Sequence, residues 1–346
     1  MGAVLAAVLV AGCPRRESIR TVPSPGGQVA VTFLDVGQGD AALVRFPDGS
    51  EWLVDGGPPG SEDRLRRLVA GPDGTRLRAV VASHPHSDHI GGLVELVRET
   101  PPEEALDSGF LHPTPTLREY LRALRERSVR VRRVRAGDAI DHPSGARIEF
   151  LAPPSPLLAG TDSDANNNSI VFRLTWGRTR FLFTGDLEGP GRERIYRSRF
   201  AEWLPAEVLK VAHHGSRDGT DDEWLRRVRP RIAVISCGAE NEYGHPHPET
   251  LAALARHGVT VYRTDRDGDI TLTSDGERIA TRTTGAAPTQ GSRPATEGEV
   301  IGNRQSRIYH APECGALPAE TNRVPFPSAA RAEAAGYRPH AACVER

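Results

Sequence analysis

Between residues 29 and 283 the chain alternates short apolar runs with stretches whose apolar residues recur every three to four positions. Apolar runs between Gly-containing turns are typical of strands, and the longer spacing is typical of amphipathic helices. The predicted strands are 29–34, 41–46, 51–54, 79–82, 147–151, 170–175, 180–183, 208–212, 232–235, 259–262 and 269–273. The predicted helices are 64–69, 93–98, 116–127, 191–199, 222–228 and 248–257. Two β-rich halves with helices outside them predict an α/β (α+β) fold, a four-layer αββα sandwich whose functional loops lie at strand ends on one edge.

Changes in composition divide the 346-residue chain into four segments. Residues 1–28 combine an apolar start with a tether rich in Pro, Gly and Ser, and residues 29–283 form the predicted sandwich. Residues 284–298 have the composition of a flexible linker, so residues 299–346 are expected to form a second, small module. The length is sufficient for one substantial core and a small appendage.

The apolar run of residues 3–11 ends in Val10-Ala11-Gly12-Cys13 and is too short to span a bilayer as a helix. It is typical of the end of a secretory signal, and the small residues before Cys13 resemble a bacterial lipobox, in which this cysteine is lipidated. No Lys or Arg precedes the run. We expect an exported protein, either a membrane-anchored lipoprotein or a periplasmic or extracellular one; the alternative is a buried or disordered N-terminus. The only predicted membrane contact is this lipid anchor.

Charge adds two local features to a chain whose formal net charge is −1. The chain has 43 Arg and a single Lys, Lys210, which precedes a pair of histidines. Either a compact ammonium group is required there or the lysine is a chance survivor. Residues 117–135 contain eight Arg and two Glu, which favours a phosphate-binding track slightly; a solvated helix face is the commoner explanation.

The segment 83–89, Ser-His-Pro-His-Ser-Asp-His, follows a predicted strand and is the strongest candidate for a metal site. In a tight loop, His84 and His86 can converge on one metal ion while Asp88 and His89 turn toward a second. Imidazole and carboxylate ligands suit Zn²⁺, Mn²⁺ or Fe, so the ligand types leave the metal open.

Three further loops carry residues of the same kind. Asp186 ends an apolar strand, where one carboxylate could bridge two cations. His213 and His214 follow the next strand, and His245 and His247 follow the one after it. Seven of the twelve histidines lie in these loops and in segment 83–89, a clustering that scattered surface histidines would not give.

The order of these motifs resembles the metallo-β-lactamase domain of ComEC-type competence proteins over residues 29–283. The matching segments are 33–40, 53–57, 84–89, 167–169, 184–186, 213–216 and 245–247. The resemblance implies that the metal ligands are His84, His86, Asp88, His89, Asp186 and one histidine of the pair His213 and His214. Asn167-Asn168-Ser169 takes the place of a further ligand histidine found in many relatives, which makes Asn168 and Ser169 candidates for substrate contact or ligand support. The membrane-channel part of ComEC-type proteins has no counterpart here; what carries over is a hydrolytic domain regarded as a nuclease.

For a phosphodiester substrate, two cations would lower the pKa of a shared water and position it for in-line attack. Asp186 would bridge the cations and Asp88 would orient the attacking group. His245 or His247 would protonate the leaving oxygen or bind the phosphate, unless the two form only a structural turn. Lys210 would add an outer cation.

Two other carboxylates are expected behind the ligands. Asp40 and Asp55 follow or precede Gly residues in the motifs and are predicted to fix the orientation of ligand side chains. The alternative is that they are ordinary turn residues, where Asp and Gly are favoured.

The C-terminal module resembles the small zinc-binding domain of the Ada DNA-repair protein, which uses four cysteines. His310 and His340 stand at two of those positions, and Cys314 and Cys343 match the other two. Two imidazoles and two thiolates make a plausible tetrahedral structural zinc site. Because His310 stands at the methyl-accepting position, methyl transfer is not expected. In an exported protein the alternative is a disulfide between the two cysteines; whether the module binds nucleic acid or is a structural cap stays open.

These observations predict a metal-dependent nuclease or phosphodiesterase that acts on DNA, with two divalent ions (Zn or Mn) in the main domain and one structural Zn in the module. One alternative is a hydrolase of small phosphoesters or lactones in the cell envelope. The other is a non-enzymatic DNA-binding surface protein.

Overall fold

The computed structural model describes residues 27–69, 76–285, 300–312, 314, 317–326, 331–332 and 335–340. They belong to two compact units that divide after Gly285. The predictions for Cys13, Cys343 and most of the linker fall outside the described residues. Within the described residues, no helix is long and apolar enough to cross a membrane.

An eight-stranded sheet forms one half of the first unit, in the order β15-β14-β1-β2-β3-β4-β5-β6. Its strands are β1 (Val29–Phe33), β2 (Ala42–Arg45), β3 (Ser50–Val54), β4 (Arg76–Ala82), β5 (Glu104–Asp107), β6 (Arg130–Arg133), β14 (Ile270–Ser274) and β15 (Ile279–Thr283). From β3 to β6 neighbouring strands are parallel, so their carboxyl ends lie at one edge.

A seven-stranded sheet forms the other half, in the order β13-β12-β11-β10-β9-β8-β7. Its strands are β7 (Ala139–Asp141), β8 (Arg147–Ala152), β9 (Val171–Trp176), β10 (Thr179–Phe183), β11 (Val208–Lys210), β12 (Ile232–Ile235) and β13 (Thr260–Arg263). The four strands β10 to β13 are parallel.

The longer helices cover the outer faces of both sheets, and the four-residue helices lie in the connections. They are α1 (Glu62–Val69), α2 (Ser87–Ile90), α3 (Leu93–Glu99), α4 (Pro115–Glu126), α5 (Asp164–Asn167), α6 (Gly189–Tyr196), α7 (Asp222–Val228), α8 (Pro248–Arg256) and α9 (Thr264–Asp267). Two 3₁₀ turns, Arg199–Trp203 and Ala212–Gly215, complete the unit.

Three clusters of buried apolar residues lie between these layers. One lies between the sheets and includes Phe33, Trp176 and Phe183. Another lies between the eight-stranded sheet and α1, α3 and α4, and the last lies between the seven-stranded sheet and α6, α7 and α8. The predicted four-layer αββα sandwich is therefore confirmed.

Local sequence explains where the helices begin. At α4, the Thr114 hydroxyl accepts a hydrogen bond from the Leu117 amide (3.3 Å), and Pro115 occupies the first turn, where a missing N–H has no cost. At α7, the Asp221 carboxylate accepts from the Trp224 amide (2.8 Å). Both helices then bury apolar residues at helical spacing.

The second unit is small and contains a four-stranded sheet in the order β18-β16-β17-β19. Its strands are β16 (Val300–Asn303), β17 (Ile308–His310), β18 (Arg323–Phe326) and β19 (Arg338–Pro339), and a 3₁₀ turn spans Glu320–Asn322. Its described core consists of four buried residues: Val300, Tyr309, Ala332 and Tyr337.

Candidate active site

The functional side chains of the first unit gather where strands end. Asp55 follows β3, segment 83–89 follows β4, Asp186 follows β10, and the histidine pair follows β11. Because strands joined in parallel end at the same edge, loops that are distant in sequence meet there.

Four ligand atoms form the first cluster, one each from Asp88, His89, Asp186 and His214, all within 4.8 Å of one another. His214 Nε2 lies 3.1 Å from Asp88 Oδ2 and 3.5 Å from Asp186 Oδ2. His89 Nε2 lies 3.3 Å from Asp186 Oδ2. Ligands about 2.1 Å from a tetrahedral metal are separated by roughly 3.4 Å, so the cluster has the dimensions of a divalent-cation site.

A second group of donors adjoins the first. His84 Nε2 lies 3.1 Å from His86 Nδ1 and 3.8 Å from Asp186 Oδ2. His84 is buried and His86 is half-buried. These three side chains could hold another cation, with Asp186 next to both positions.

Two buried atoms of the cluster have no hydrogen-bond partner: His89 Nε2 and Asp186 Oδ1. A buried polar atom without a partner is costly, and both atoms are good metal ligands. The other ring nitrogen of His89 donates to Asp55 Oδ2 (2.9 Å), and Nδ1 of His214 donates to the Ser236 carbonyl (2.9 Å). Nε2 of each ring is therefore the one available for a cation, and the residues fit the metal site that the sequence predicts.

Electrostatics support the same conclusion. Burial alone would raise the pKa of Asp186, but the facing His89 and His214 lower it well below its ordinary value. Burial alone would lower the pKa of His89, but the carboxylates, Asp186 first, raise it well above its ordinary value. The Asp186 carboxylate is thus held as an anion, the form that binds cations.

Asp40 and Asp55 lie behind the candidate ligands, next to the Nδ1 atoms of their imidazole rings. Asp55 accepts from the Ser83 amide and hydroxyl, each at 2.7 Å, as well as from His89. Asp40 forms an ion pair with Lys210, and its Oδ1 lies 3.3 Å from His214 Nδ1.

Lys210 does not have the position expected of an outer cation that contacts the substrate. Its side chain is 5% exposed, and its ammonium group lies on Asp40 and 3.4 Å from the Gly185 carbonyl. The open pocket beside the ligand cluster is lined by nine other residues: Gln38, His86, Asp88, Asn166, Asp186, His213, His214, Tyr243 and His245. Lys210 does not line this pocket, so it is not an outer cation for a substrate.

The asparagine loop is also arranged differently from the prediction. Asn168 is fully buried; its amide donates to Leu158 and Asp164 carbonyls, and its Oδ1 accepts from the Leu158 amide, so it orders the loop and does not reach the site. Ser169 does support the site, since its hydroxyl accepts from the Asp186 amide (3.2 Å). The residue that faces the pocket is Asn166, whose Oδ1 is buried without a partner.

Sequence reasoning missed Asn166 and also Glu188. Glu188 accepts from Asn166 Nδ2 (2.8 Å), and His213 Nδ1 lies 3.2 Å from its Oε1. Burial would raise the pKa of Glu188, but hydrogen bonds from His213 and Asn166 lower it. Its position two residues after Asp186 is the sequence feature that could have identified Glu188.

The two remaining histidine pairs divide their roles. His214 belongs to the ligand cluster, whereas His213 faces the pocket and lies 3.9 Å from Asp186. His245 also lines the pocket, and burial together with His214 and His213 lowers its pKa to about 4. His247 lies behind it and accepts from the Arg217 amide (3.0 Å), so it does not line this pocket.

The arginine-rich stretch lies on α4 and β6, and none of its residues lines the pocket. Arg122 pairs with Glu119 at 2.8 Å, and Arg130 pairs with Glu104 at 3.4 Å. These pairs favour a solvated face over a phosphate-binding track.

In the second unit, His310, Cys314 and His340 form another cluster whose ligand atoms lie within 4.8 Å of one another. Cys314 Sγ lies 3.5 Å from His310 Nδ1 and 3.7 Å from His340 Nδ1. The spacing suits a zinc site that a further ligand would complete.

Comparison with known families gives two matches. Residues 34–239 match the Metallo-beta-lactamase superfamily, and residues 289–345 match the Metal binding domain of Ada.

Two curated relatives cover the same part of the chain. ComE operon protein 3 of Bacillus subtilis is 30% identical over 266 residues, covering 72% of this chain and 33% of the relative. Competence protein ComA of Neisseria gonorrhoeae is 30% identical over 251 residues, with 72% and 33% coverage. The chain therefore spans about a third of the length of these relatives.

Solved structures of similar fold include Igni18, a metallo hydrolase of Ignicoccus hospitalis, with 16% identity, a TM-score of 0.45, and coverage of 71% of this chain and 98% of the other. Another is the metallo-beta-lactamase fold protein YhfI of Bacillus subtilis, with 13% identity, a TM-score of 0.45, and coverage of 73% and 100%.

Proposed function

The chain belongs to the metallo-beta-lactamase superfamily and is a metal-dependent hydrolase of that fold; from this premise we propose that it cleaves the phosphodiester bonds of DNA. The observation that carries the proposal is the pair of adjoining donor groups, Asp88, His89, Asp186 and His214 on one side and His84 with His86 on the other. Two-cation sites of this kind suit in-line displacement at phosphorus.

The relatives support DNA as the substrate. One of them is named Competence protein ComA, and a further relative at 28% identity over 256 residues is named Recombination protein 2, of Haemophilus influenzae. Since this chain covers only part of each relative, the substrate is proposed for the hydrolase unit alone.

When bound, two divalent cations would polarise a phosphoryl oxygen and lower the pKa of a water between them. Asp186 would hold both cations, and Asp88 would bind one of them and orient the attacking oxygen. Ser169, through the Asp186 amide, and Asp55, through His89, would keep these ligands in position.

The pocket wall would contribute on the leaving-group side. His213, whose Nδ1 is oriented by Glu188, would lie beside the leaving oxygen. His245 is neutral at pH 7, so it would bind a phosphoryl oxygen through a ring N–H. Asn166, with a free Oδ1, would accept from a substrate donor or complete the His84 and His86 site.

The test is cleavage of single-stranded and double-stranded DNA by the full chain with Mn²⁺ or Zn²⁺, beside Asp186→Ala. We expect metal-dependent cleavage that falls roughly 10³-fold in the variant, because both cations lose a ligand. Asn168→Ala is the matched control, since it lies in the same region without facing the pocket.

Intact DNA together with hydrolysis of bis-p-nitrophenyl phosphate would replace the proposal by a small-phosphodiester hydrolase. DNA binding without any hydrolysis would favour the non-enzymatic reading. We also propose one structural zinc in the second unit and export with a lipid anchor, supported by the ligand cluster there and by the lipobox-like sequence.

A further inference from the structure

The mouth of the metal pocket has a large exposed aromatic ring. Tyr243 is 65% exposed and lines the pocket together with Gln38 and Asp88. Its ring lies 5.6 Å from that of His245, with 23° between the planes, so one face is covered and the other is open. Among the described residues, few large apolar side chains are this exposed.

The loop that carries Tyr243 is held in shape by one side chain. Asn241 Nδ2 donates to the carbonyls of Gly238 (2.9 Å) and His245 (2.7 Å), and its Oδ1 accepts from the His245 amide (2.9 Å). The ring is therefore presented on a closed loop, and a ligand that stacks on it would have little backbone to order.

Charge on this rim disfavours a phosphate group beside the ring. Glu240 and Glu242 are exposed in the same loop and line the adjoining cleft with Asp88. Carboxylates repel a polyanion, so the substrate group that meets Tyr243 should be flat and uncharged. In a nucleic acid that group is a base.

We infer that Tyr243 is a stacking platform for the nucleobase next to the scissile phosphodiester, and that the preferred substrate is an unpaired strand. The inference rests on the proposed function. A base within a duplex is stacked on both faces by its neighbours, so it cannot lie on Tyr243 until it is unpaired, whereas a single strand offers its bases freely.

The experiment measures KM and kcat of the full chain on oligothymidylate, on an abasic strand of the same length and on a duplex. The variants are Tyr243→Ala, Tyr243→Phe and, as the matched control, Leu121→Ala, an exposed apolar residue of α4. We expect Tyr243→Ala to raise KM for oligothymidylate about tenfold with little change in kcat, because one stacking contact is lost. Tyr243→Phe and Leu121→Ala should match the parent chain.

The abasic strand separates stacking from a general structural effect. The parent chain and Tyr243→Ala should have the same KM on it, since no base is present to stack. An equal rise in KM on the abasic strand, or an unchanged KM on oligothymidylate, would overturn the inference while leaving the nuclease proposal in place. A parent chain that cleaves no DNA overturns the proposed function first.

Discussion

The hydrolase unit buries 25 apolar residues between its two sheets, whereas the described core of the second unit has only four. Each unit also carries a cluster of metal ligands, one of carboxylates and imidazoles and one of imidazoles and a thiol. In the first unit the apolar layers position strands that would be in place without a metal. In the second, the described residues bury little apolar surface, so we expect bonds to a metal ion to supply much of the stability.

A metal ion can therefore bind to a fold that forms without it, or it can be required for the fold to form. The first cluster has carboxylates behind its imidazoles, which orient ligands for chemistry. The second joins β17, which contains His310, to the chain that follows β19, where His340 lies. Its expected role is to link strands.

The largest expected effect comes from removing zinc. A structural zinc contributes roughly 10–16 kcal/mol in small zinc-binding peptides, so chelation should unfold the second unit and leave the first folded. Limited trypsin digestion with mass spectrometry should show rapid cleavage at Arg304, Arg307 and Arg323 after chelation.

Cys314→Ser should reproduce that digestion pattern without a chelator. Continued resistance of the second unit to trypsin after metal removal, as verified by metal analysis, would contradict a structural role for the metal.

A smaller effect should follow from Lys210→Met. The change leaves the buried Asp40 carboxylate without its cation, and breaking a buried pair costs about 3–5 kcal/mol of unfolding free energy. Denaturant unfolding of the first unit measures it. The double variant Asp40→Asn with Lys210→Met should recover part of the loss, because no uncompensated charge remains; equal stability of parent and single variant would refute the assignment.

The smallest effects should separate two neighbouring asparagines. Asn168→Ala removes several buried hydrogen bonds and should lower the unfolding free energy by about 1–3 kcal/mol. Asn166→Ala removes the hydrogen bond to Glu188 but fewer buried bonds in all, so its stability loss should be the smaller of the two, yet it should lower kcat/KM, since its free Oδ1 faces the pocket. A swap of these two outcomes would contradict the geometry.

Much of this site could be predicted because its ligands are close together in sequence. His84, His86, Asp88 and His89 lie within one short loop, and Asp186 ends an apolar strand, so the sequence pattern alone indicates them as candidate ligands. Most strands of the sandwich could also be predicted, since their apolar runs are buried on one or both faces.

The missed elements have a physical reason. β6 reads Arg-Val-Arg-Arg and is mostly exposed, because it is the edge strand of its sheet, where charged residues prevent further pairing. β7 is also an edge strand of three residues, and such strands lack the apolar signal that identifies buried ones.

Side-chain direction was the other limit. Asn166 lies in the single turn of α5 and Asn168 caps it, and residues two apart on a helix point in nearly opposite directions. Whether Asn166 or Asn168 faces the pocket therefore depends on where that turn begins, which composition does not indicate. Lys210 likewise faces inward because β11 is buried on both faces.

Cleavage after Lys210 can report the unfolding of the chain. It is the single lysine among 346 residues, and its side chain is buried in the middle of a sheet. A lysine-specific protease therefore has one target bond, between Lys210 and Val211, which becomes accessible only when the seven-stranded sheet opens. The appearance of two fragments that meet at the Lys210–Val211 bond would measure the rate of that opening directly, without a label or an engineered site.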